Sequence, residues 1–375
     1  GDPLKKEGLA IHVYNVNASM DQDSAFYNSD GDFLIVPETG ALEVVTELGT
    51  LWVEPREVAV VPRGVRFAVG LLEAALEPVP GSKGAHPTKR VCTRVGTGQA
   101  RGYVLELYQG HFELPALGPI GSNGLANARD FCYPTARFED RDCLGTGLGA
   151  GVDGATGGAA GGGFRVVNKF GGKLFEAGLD HSPFDVVAWA GNYAPFKYDL
   201  RRFCCMNSVT FDHPDPSIYT VLTAPSHEPG TAIADFVVFP PRWMVMENTF
   251  RPPWFHRNCM TEFMGMIYGT YDAKQGGGFQ AGGASLHACM TPHGPDAATC
   301  DKAANAELGP VKFDGGMAFM FETALMLKLT PHALESPQRD RGYQKCWNDI
   351  PKVFTGDTSP SERTQRPPSK EHEVN

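Results

Sequence analysis

The stretch DFLIVPETGALEVVTELGTLWVEPREVAVVPRGVRFAV, residues 32–69, decides the fold class. Apolar and polar residues alternate along it in short runs, and glycines, prolines or charged residues separate one run from the next. Such alternation is typical of half-buried β-strands joined by tight turns. Several short strands at regular spacing predict an antiparallel sandwich or jelly roll rather than a helical protein.

A turn-rich part of this stretch resembles cupin barrels. Gly49, Pro55 and the Val-Pro-Arg-Gly sequence at 61–64 follow the second cupin motif, although Glu57 stands where that motif has glycine. Residues 32–69 contain no histidine, and imidazoles are the ligands that a cupin metal site uses. We therefore expect the first barrel to be structural and to lack metal ligands.

The rest of the chain continues the same pattern. Its 375 residues include 44 glycines and 29 prolines, which favour short strands and turns over long helices. Strand-like runs resume from Phe164, and one short helix is predicted at 301–307. The predicted fold is mainly β, with two cupin-like jelly-roll or β-sandwich domains and few short helices.

The chain divides into predicted segments. We expect an N-terminal β-sandwich domain at 1–200 and a C-terminal cupin-like catalytic domain at 201–355. Within the first, 72–101 and the glycine-rich 145–163 are predicted to be inserted loops, the second of them mobile. Residues 356–375 contain few apolar side chains and are predicted to form a disordered tail.

Composition excludes several classes of function. A net charge of −10 argues against nucleic acid or an anionic membrane as the main partner, because both need a basic face. No apolar run approaches the roughly 20 residues that cross a bilayer, and the start shows no secretory signal. The nine cysteines include no C-x-x-C pair, which favours reduced thiols in the cytoplasm.

Residues 253–296 carry the most informative polar pattern. His256 precedes Glu262 by six positions, an even spacing that would place both on one face of an extended strand unless a turn lies between them. Glu262 and Gly269 have the E-x6-G spacing of the first cupin metal motif. After a glycine-rich hairpin come His287 and His293. The pattern predicts a metal site, although a single histidine on a strand is more often a core or surface residue.

The residue types suit one kind of metal chemistry. Two imidazoles and one carboxylate form the facial set of non-haem Fe(II) oxygenases, which leaves positions on the metal free for substrate and O2. Spacing does not decide which two of His256, His287 and His293 would be ligands. Cys259 and Cys289 lie nearby, and cysteine ligands would instead favour zinc.

A second histidine environment lies upstream, at 211–217. His213 stands between two acidic residues and two prolines in FDHPDPS. Proline fixes the local backbone and so can hold an imidazole at a set angle, and a neighbouring aspartate can select its tautomer. The alternative is a rigid turn in which His213 only caps a backbone group.

Eight stretches together resemble the homogentisate 1,2-dioxygenase family, and the resemblance extends over nearly all of 8–350. The first domain of the family is longer at its start, so the resemblance implies that some early strands lie outside this sequence. Tyr268 departs from the family, which has a basic residue there. The matching stretches are NSDGDFLIVP (28–37), HFELPALGPIGSNGLANARDF (111–131), SPFDVVAWAGNYAPFKY (182–198), FDHPDPSIYTVLTA (211–224), ADFVVFPPRW (234–243), FRPPWFHRNCMTEFMG (250–265), LHACMTPHGPD (286–296) and MAFMFET (317–323).

The resemblance implies roles for individual residues. His256, Glu262 and His293 are the implied Fe(II) ligands, with His287 close by in the substrate pocket. Tyr271 is the implied substrate contact, and His293 also lies against the substrate.

The resemblance also implies the proton-transfer residue and leaves one contact open. His213 becomes the implied catalytic acid/base, in place of the rigid-turn alternative. Arg242 and Arg257 are candidate partners of the substrate carboxylate, and the alternative for each is a structural ion pair.

The implied activity is cleavage of homogentisate by O2 to maleylacetoacetate in tyrosine and phenylalanine catabolism. The implied assembly is a homo-oligomer, a trimer or hexamer. A dioxygenase for another hydroquinone or catechol, a non-catalytic metal-binding cupin and a zinc hydrolase are the alternatives.

Overall fold

The computed structural model describes residues 1–78, 88–116, 126–141, 163–205, 219–244, 255–274, 279–307 and 309–352. The predicted fold class is confirmed, because strands dominate these ranges and the helices are few and short. No helix in the described part of the chain is long and apolar enough to cross a membrane. Every cysteine among the described residues is a free thiol.

The strands of the first half form two sheets. One has the order β1-β9-β3-β6-β13-β10, and the other has the order β12-β11-β2-β7-β4-β5 with β8 paired to β7. The strands are β1 (Leu9–Ala18), β2 (Ser24–Asn28), β3 (Asp32–Thr39), β4 (Ala41–Thr46), β5 (Gly49–Val53), β6 (Glu57–Val61), β7 (Phe67–Pro78), β8 (Thr88–Val95), β9 (Thr97–Leu107), β10 (Phe131–Cys132), β11 (Phe164–Phe170), β12 (Lys173–Leu179) and β13 (Phe196–Asp199).

The centre of the first half is buried on both faces. Along β6, every residue from Glu57 to Val61 is buried. Ala59 and Val61 pack into the core between the two sheets, as the sandwich prediction requires. Val58 and Val60 point the other way, into a core shared with the second half of the chain. This explains why β6 is apolar throughout instead of alternating.

The prediction of an inserted loop at 72–101 is wrong for the described residues. β7 and β8 pair in an antiparallel register from Leu71↔Val95 to Pro78↔Thr88, and β9 begins at Thr97. The turn-forming glycines and prolines that suggested a loop are concentrated between these strands, at 79–87, outside the described residues. The predicted loop at 145–163 and tail at 356–375 also fall outside them, except for Gly163.

The second half is built on a five-stranded sheet with the order β14-β15-β20-β17-β18, beside a small β16-β19 pair. Its helix α1 begins earlier than the sequence predicted, because Asp296 caps it by accepting a hydrogen bond from the Thr299 backbone. The elements are β14 (Thr220–Pro225), β15 (Ala232–Phe239), β16 (Arg242–Met244), β17 (Thr261–Gly269), β18 (Ala284–His287), α1 (Ala297–Ala304), β19 (Val311–Phe313), β20 (Gly316–Thr323) and α2 (Pro331–Glu335).

Three short 3-10 helices complete the described elements. They are Ala128–Asp130, Leu200–Arg202 and Tyr343–Trp347.

The two halves share one apolar core. Tyr103 of β9 packs edge-on against Phe319 of β20, with 4.8 Å between ring centroids. Its hydroxyl also donates a hydrogen bond of 2.7 Å to the backbone oxygen of Gly283. The division into two domains at residue 200 therefore stays a prediction. In the structure the two halves pack against each other through these contacts.

Candidate metal centre

The candidate site lies where β17 approaches β18 and the loop that follows it. Glu262 faces His287 in the antiparallel register of these strands. Outside these two strands, His256 and His293 form an isolated antiparallel bridge in which each backbone N–H donates to the other's carbonyl, at 2.9 and 3.0 Å. Segments 256–262 and 287–293 are thereby paired, and each contributes two of the four polar residues of the site.

Three of these residues offer a convergent set of ligand atoms. One atom each from His256, Glu262 and His293 lies within 4.8 Å of the other two. His293 Nε2 is 3.2 Å from Glu262 Oε2, and His256 Nε2 is 3.7 Å from Oε1. Neighbouring ligands about 2.1 Å from one metal ion stand about 3 Å apart. The donor set therefore fits a single metal ion.

Burial differs across the set. The side chains of Glu262 and His293 are 7% exposed, whereas that of His256 is 43% exposed. Within the described part of the chain, the site is therefore more exposed beside His256 than at Glu262 and His293.

Glu262 is held as a carboxylate. Burial by itself would raise the pKa of Glu262, but interactions with His256, His287 and His293 outweigh it and place the pKa far below its ordinary value. An ionised carboxylate is the form that binds a cation, so the site carries its negative charge before any metal arrives.

His287 lies beside this set in a different environment. Its ring stacks on that of His293 with 4.3 Å between centroids, and its Nδ1 is 3.6 Å from Glu262 Oε2. Its Nε2 faces Lys274 Nζ at 3.2 Å and the Tyr343 hydroxyl at 3.1 Å. Burial lowers the pKa of His287 to about 4, so the imidazole is neutral near pH 7.

Asn258 supports the carboxylate and was not identified from the sequence. Its side-chain nitrogen donates to Glu262 Oε1 at 3.1 Å and to Glu322 Oε1 at 2.7 Å. Asn258 could have been identified from its position two residues after His256, because residues two apart share a face where the chain is extended. Lys274 and Tyr343 were also missed, and no sequence spacing connects them with the histidines.

The other candidate site residues that the structure describes are not brought together with this set in the same way. Tyr271 is buried in an apolar cluster, where its ring packs edge-on against Phe239 and Phe279. Burial raises the pKa of Tyr271 well above its ordinary value, so its hydroxyl keeps its proton. Arg257 is exposed. His213 lies outside the described residues.

Arg242 forms the structural ion pair that the sequence left as its alternative. Its guanidinium is buried and donates to Asp272 Oδ2 at 2.8 Å and to the backbone oxygen of Pro240 at 3.2 Å. The Arg242 side chain is only 6% exposed and is paired with Asp272, which favours the structural role.

A β-sheet scaffold that presents two imidazoles and one carboxylate to a common point defines a candidate non-haem metal protein. Comparison with known families makes this class specific. The family model "Homogentisate 1,2-dioxygenase N-terminal" matches residues 1–79 and 89–200, and "Homogentisate 1,2-dioxygenase C-terminal" matches 201–354. The chain belongs to the homogentisate 1,2-dioxygenase family.

Curated relatives agree with the family models. The chain is 51% identical to homogentisate 1,2-dioxygenase of Drosophila melanogaster, over 94% of this chain and 71% of the relative. It is 50% identical to homogentisate 1,2-dioxygenase of Homo sapiens, over 95% of this chain and 70% of the relative. Among solved structures, a putative glyoxylate induced protein from Pseudomonas aeruginosa matches at 10% identity, over 87% of this chain and 78% of that one, with a TM-score of 0.30.

Proposed function

We propose that this protein is a ring-cleaving dioxygenase that converts homogentisate and O2 to maleylacetoacetate in tyrosine and phenylalanine catabolism. The observation that carries the proposal is the convergence of His256, Glu262 and His293 in a chain half identical to enzymes of that name. The proposed cofactor is Fe(II), held by these three residues. When bound there, it supplies adjacent positions for a substrate oxygen and O2 and a path for electrons between them.

The chain's own residues would then orient the substrate and manage its protons. We assign Tyr271 as a hydrogen-bond donor to the substrate, because its raised pKa keeps the hydroxyl protonated. The neutral ring of His287 stacks on that of His293, and we assign both to the substrate side of the metal site. The more exposed side at His256 is the proposed entrance.

His213 is the proposed acid/base. A phenol has a pKa of about 10, so its deprotonation near pH 7 benefits from a nearby imidazole. We expect His213→Ala to retain the metal and to lower kcat by about 10²-fold, the lower end of a general base's contribution. Metal content per chain and initial rates would be measured on the same sample. Undiminished turnover, or loss of metal, would remove His213 from this role.

Oxygen consumption on homogentisate, with Fe(II) and ascorbate present, is the direct test of the proposed function. We expect one O2 consumed per homogentisate and the absorbance of a ring-opened product. A panel of other hydroquinones and catechols in the same assay would reveal a different preferred substrate. Metal binding without O2 uptake on any of them would instead identify a non-catalytic metal-binding cupin.

The proposal includes a cytoplasmic location and a homo-oligomer of three or six copies. Exposed apolar side chains on neighbouring strands support self-association, because such patches commonly mark contact surfaces. Phe170 of β11 and Phe175 of β12 form one such patch, with their rings packed edge-on. Light scattering coupled to size-exclusion chromatography would give the number of copies.

A further inference from the structure

The C-terminal segment returns to the candidate metal centre after α2. The 3-10 helix Tyr343–Trp347 lies against the loop that carries His293. Trp347 Nε1 donates to the backbone oxygen of Gly294 at 3.2 Å, which anchors the helix beside His293. The Tyr343 ring stacks on that of His287, with 6.3 Å between centroids and 22° between planes. This contact brings a phenol hydroxyl to the far side of His287 from Glu262.

The hydrogen bonds around His287 restrict where its single ring proton can be. Lys274 is buried, and burial lowers its pKa to about 8, so the ammonium form still predominates at pH 7. An ammonium group donates hydrogen bonds and accepts none. Because Lys274 Nζ is 3.2 Å from His287 Nε2, that nitrogen must be the acceptor. Lys274 also bonds to the Tyr343 oxygen, and the Tyr343 hydroxyl is a second donor near the same nitrogen.

A neutral imidazole that accepts at Nε2 carries its proton on Nδ1. Among the described residues the buried Nδ1 of His287 has no hydrogen-bond partner within the usual distance, and it lies 3.6 Å from Glu262 Oε2. The proton therefore points at the carboxylate. With that proton in place, His287 has no lone pair directed at the metal centre.

We propose that Lys274 and Tyr343 are positioning residues that hold His287 in its Nδ1–H tautomer. In this form the Nδ1–H of His287 points toward Glu262 and His287 is excluded as a metal ligand, which leaves His256 and His293 as the two imidazole ligands. The inference rests on the metal site of the proposed function, and it goes further by giving a role to a residue of the C-terminal segment. Groups that fix the tautomer and the orientation beside a ligand typically change metal affinity by about 10- to 100-fold.

The tautomer can be observed directly by nitrogen NMR of protein labelled with ¹⁵N-histidine. The resonances of His287 would be assigned by their loss in His287→Gln. We expect the wild-type protein, free of metal, to show a protonated Nδ1 and an unprotonated Nε2 at His287. Lys274→Met keeps the apolar stem but removes the ammonium group, and we expect the second tautomer to become populated. A wild-type His287 protonated at Nε2 overturns the proposal.

Metal affinity gives a second readout that needs no substrate. Tyr343→Phe keeps the stacked ring and removes only the hydroxyl, so we expect Kd for Fe(II), measured anaerobically by equilibrium dialysis, to rise about 10-fold or more. The matched control is Tyr193→Phe, which removes a hydroxyl that donates to Arg63 in the first half and should leave Kd unchanged. Equal Kd values for Tyr343→Phe, Lys274→Met and wild type would refute the positioning role.

These readouts separate the inference from the proposed function. If wild-type protein binds Fe(II) with the expected tautomer but consumes no O2 with homogentisate, the proposed function fails and the positioning role stands. If wild-type protein turns over homogentisate while His287 is protonated at Nε2, the proposed function stands and the positioning role fails. Circular dichroism of each variant would verify folding, and either of the two variants suffices for the test.

Discussion

Replacing Glu262 with alanine is expected to reduce bound metal to a trace and to abolish turnover. Glu262 supplies the only carboxylate among the three convergent ligands, and its two oxygens face His256 and His293 separately. Truncation leaves the two imidazole ligands without the carboxylate that binds the cation between them. Removing one charged partner from a buried pair costs about 4 kcal/mol, which corresponds to about 10³-fold in affinity.

The neighbouring carboxylate provides the matched control for this variant. Glu322 lies directly across from Glu262 on β20 and shares its Asn258 donor, but it is not one of the three convergent ligands. We expect Glu322→Gln to keep one metal per chain and Glu262→Gln to lose it. Elemental analysis of protein refilled with Fe(II) under anaerobic conditions measures the bound metal, and O2 uptake measures the turnover. A full metal complement in Glu262→Ala would exclude it as a ligand.

Local sequence patterns predicted the strands and the approximate place of the site for a physical reason. Alternation of apolar and polar residues reflects one buried face, so β3, β4 and β5 could be identified from side-chain order alone. The even spacing of His256 and Glu262 did not act through one extended strand, because β17 begins at Thr261 and the chain bends at 259–260 just before it. Alternation is a relation between residues that are close in sequence, so it can be recognised without the tertiary structure.

The choice among the three histidines could not be made in the same way. One antiparallel register brings His256, His287 and His293 close to Glu262 together, so proximity alone does not rank them. The difference comes from what each imidazole meets on its other side. For His287 these partners are Lys274 and Tyr343, which reach it only through tertiary folding. No spacing between positions 287 and 343 expresses that contact.

The division into two domains is a similar case. Sequence patterns gave two β-rich units, but they could not reveal how closely the units pack. Gly265 of β17 allows the close approach, since a Cβ there would stand 2.3 Å from Phe319 Cε1 and 3.2 Å from Tyr103 Cζ. The strand that carries Glu262 is thus pressed against a ring from the first half. Stability of the candidate site should depend on this contact between halves.

Phe319→Ala is accordingly expected to destabilise the whole protein by about 3–5 kcal/mol, the usual cost of emptying a buried phenylalanine site. Phe319 is fully buried, and its ring lies 4.8 Å from Tyr103, 4.9 Å from Phe321 and 5.9 Å from Phe236. Urea unfolding of the metal-free protein would measure the change, with exposed Phe138→Ala as a control expected to stay within about 0.5 kcal/mol.

Because Tyr103 belongs to β9 and Phe319 to β20, the cavity opens in a core that both halves share. We therefore expect hydrogen exchange in Phe319→Ala to accelerate in β9 as well as in β20, in proportion to the lost free energy of unfolding. Faster exchange confined to β20 and its sheet neighbours, with β9 protected as in the wild type, would mean that the halves unfold independently. In that case the packing seen at Tyr103 would join two units without coupling their stability.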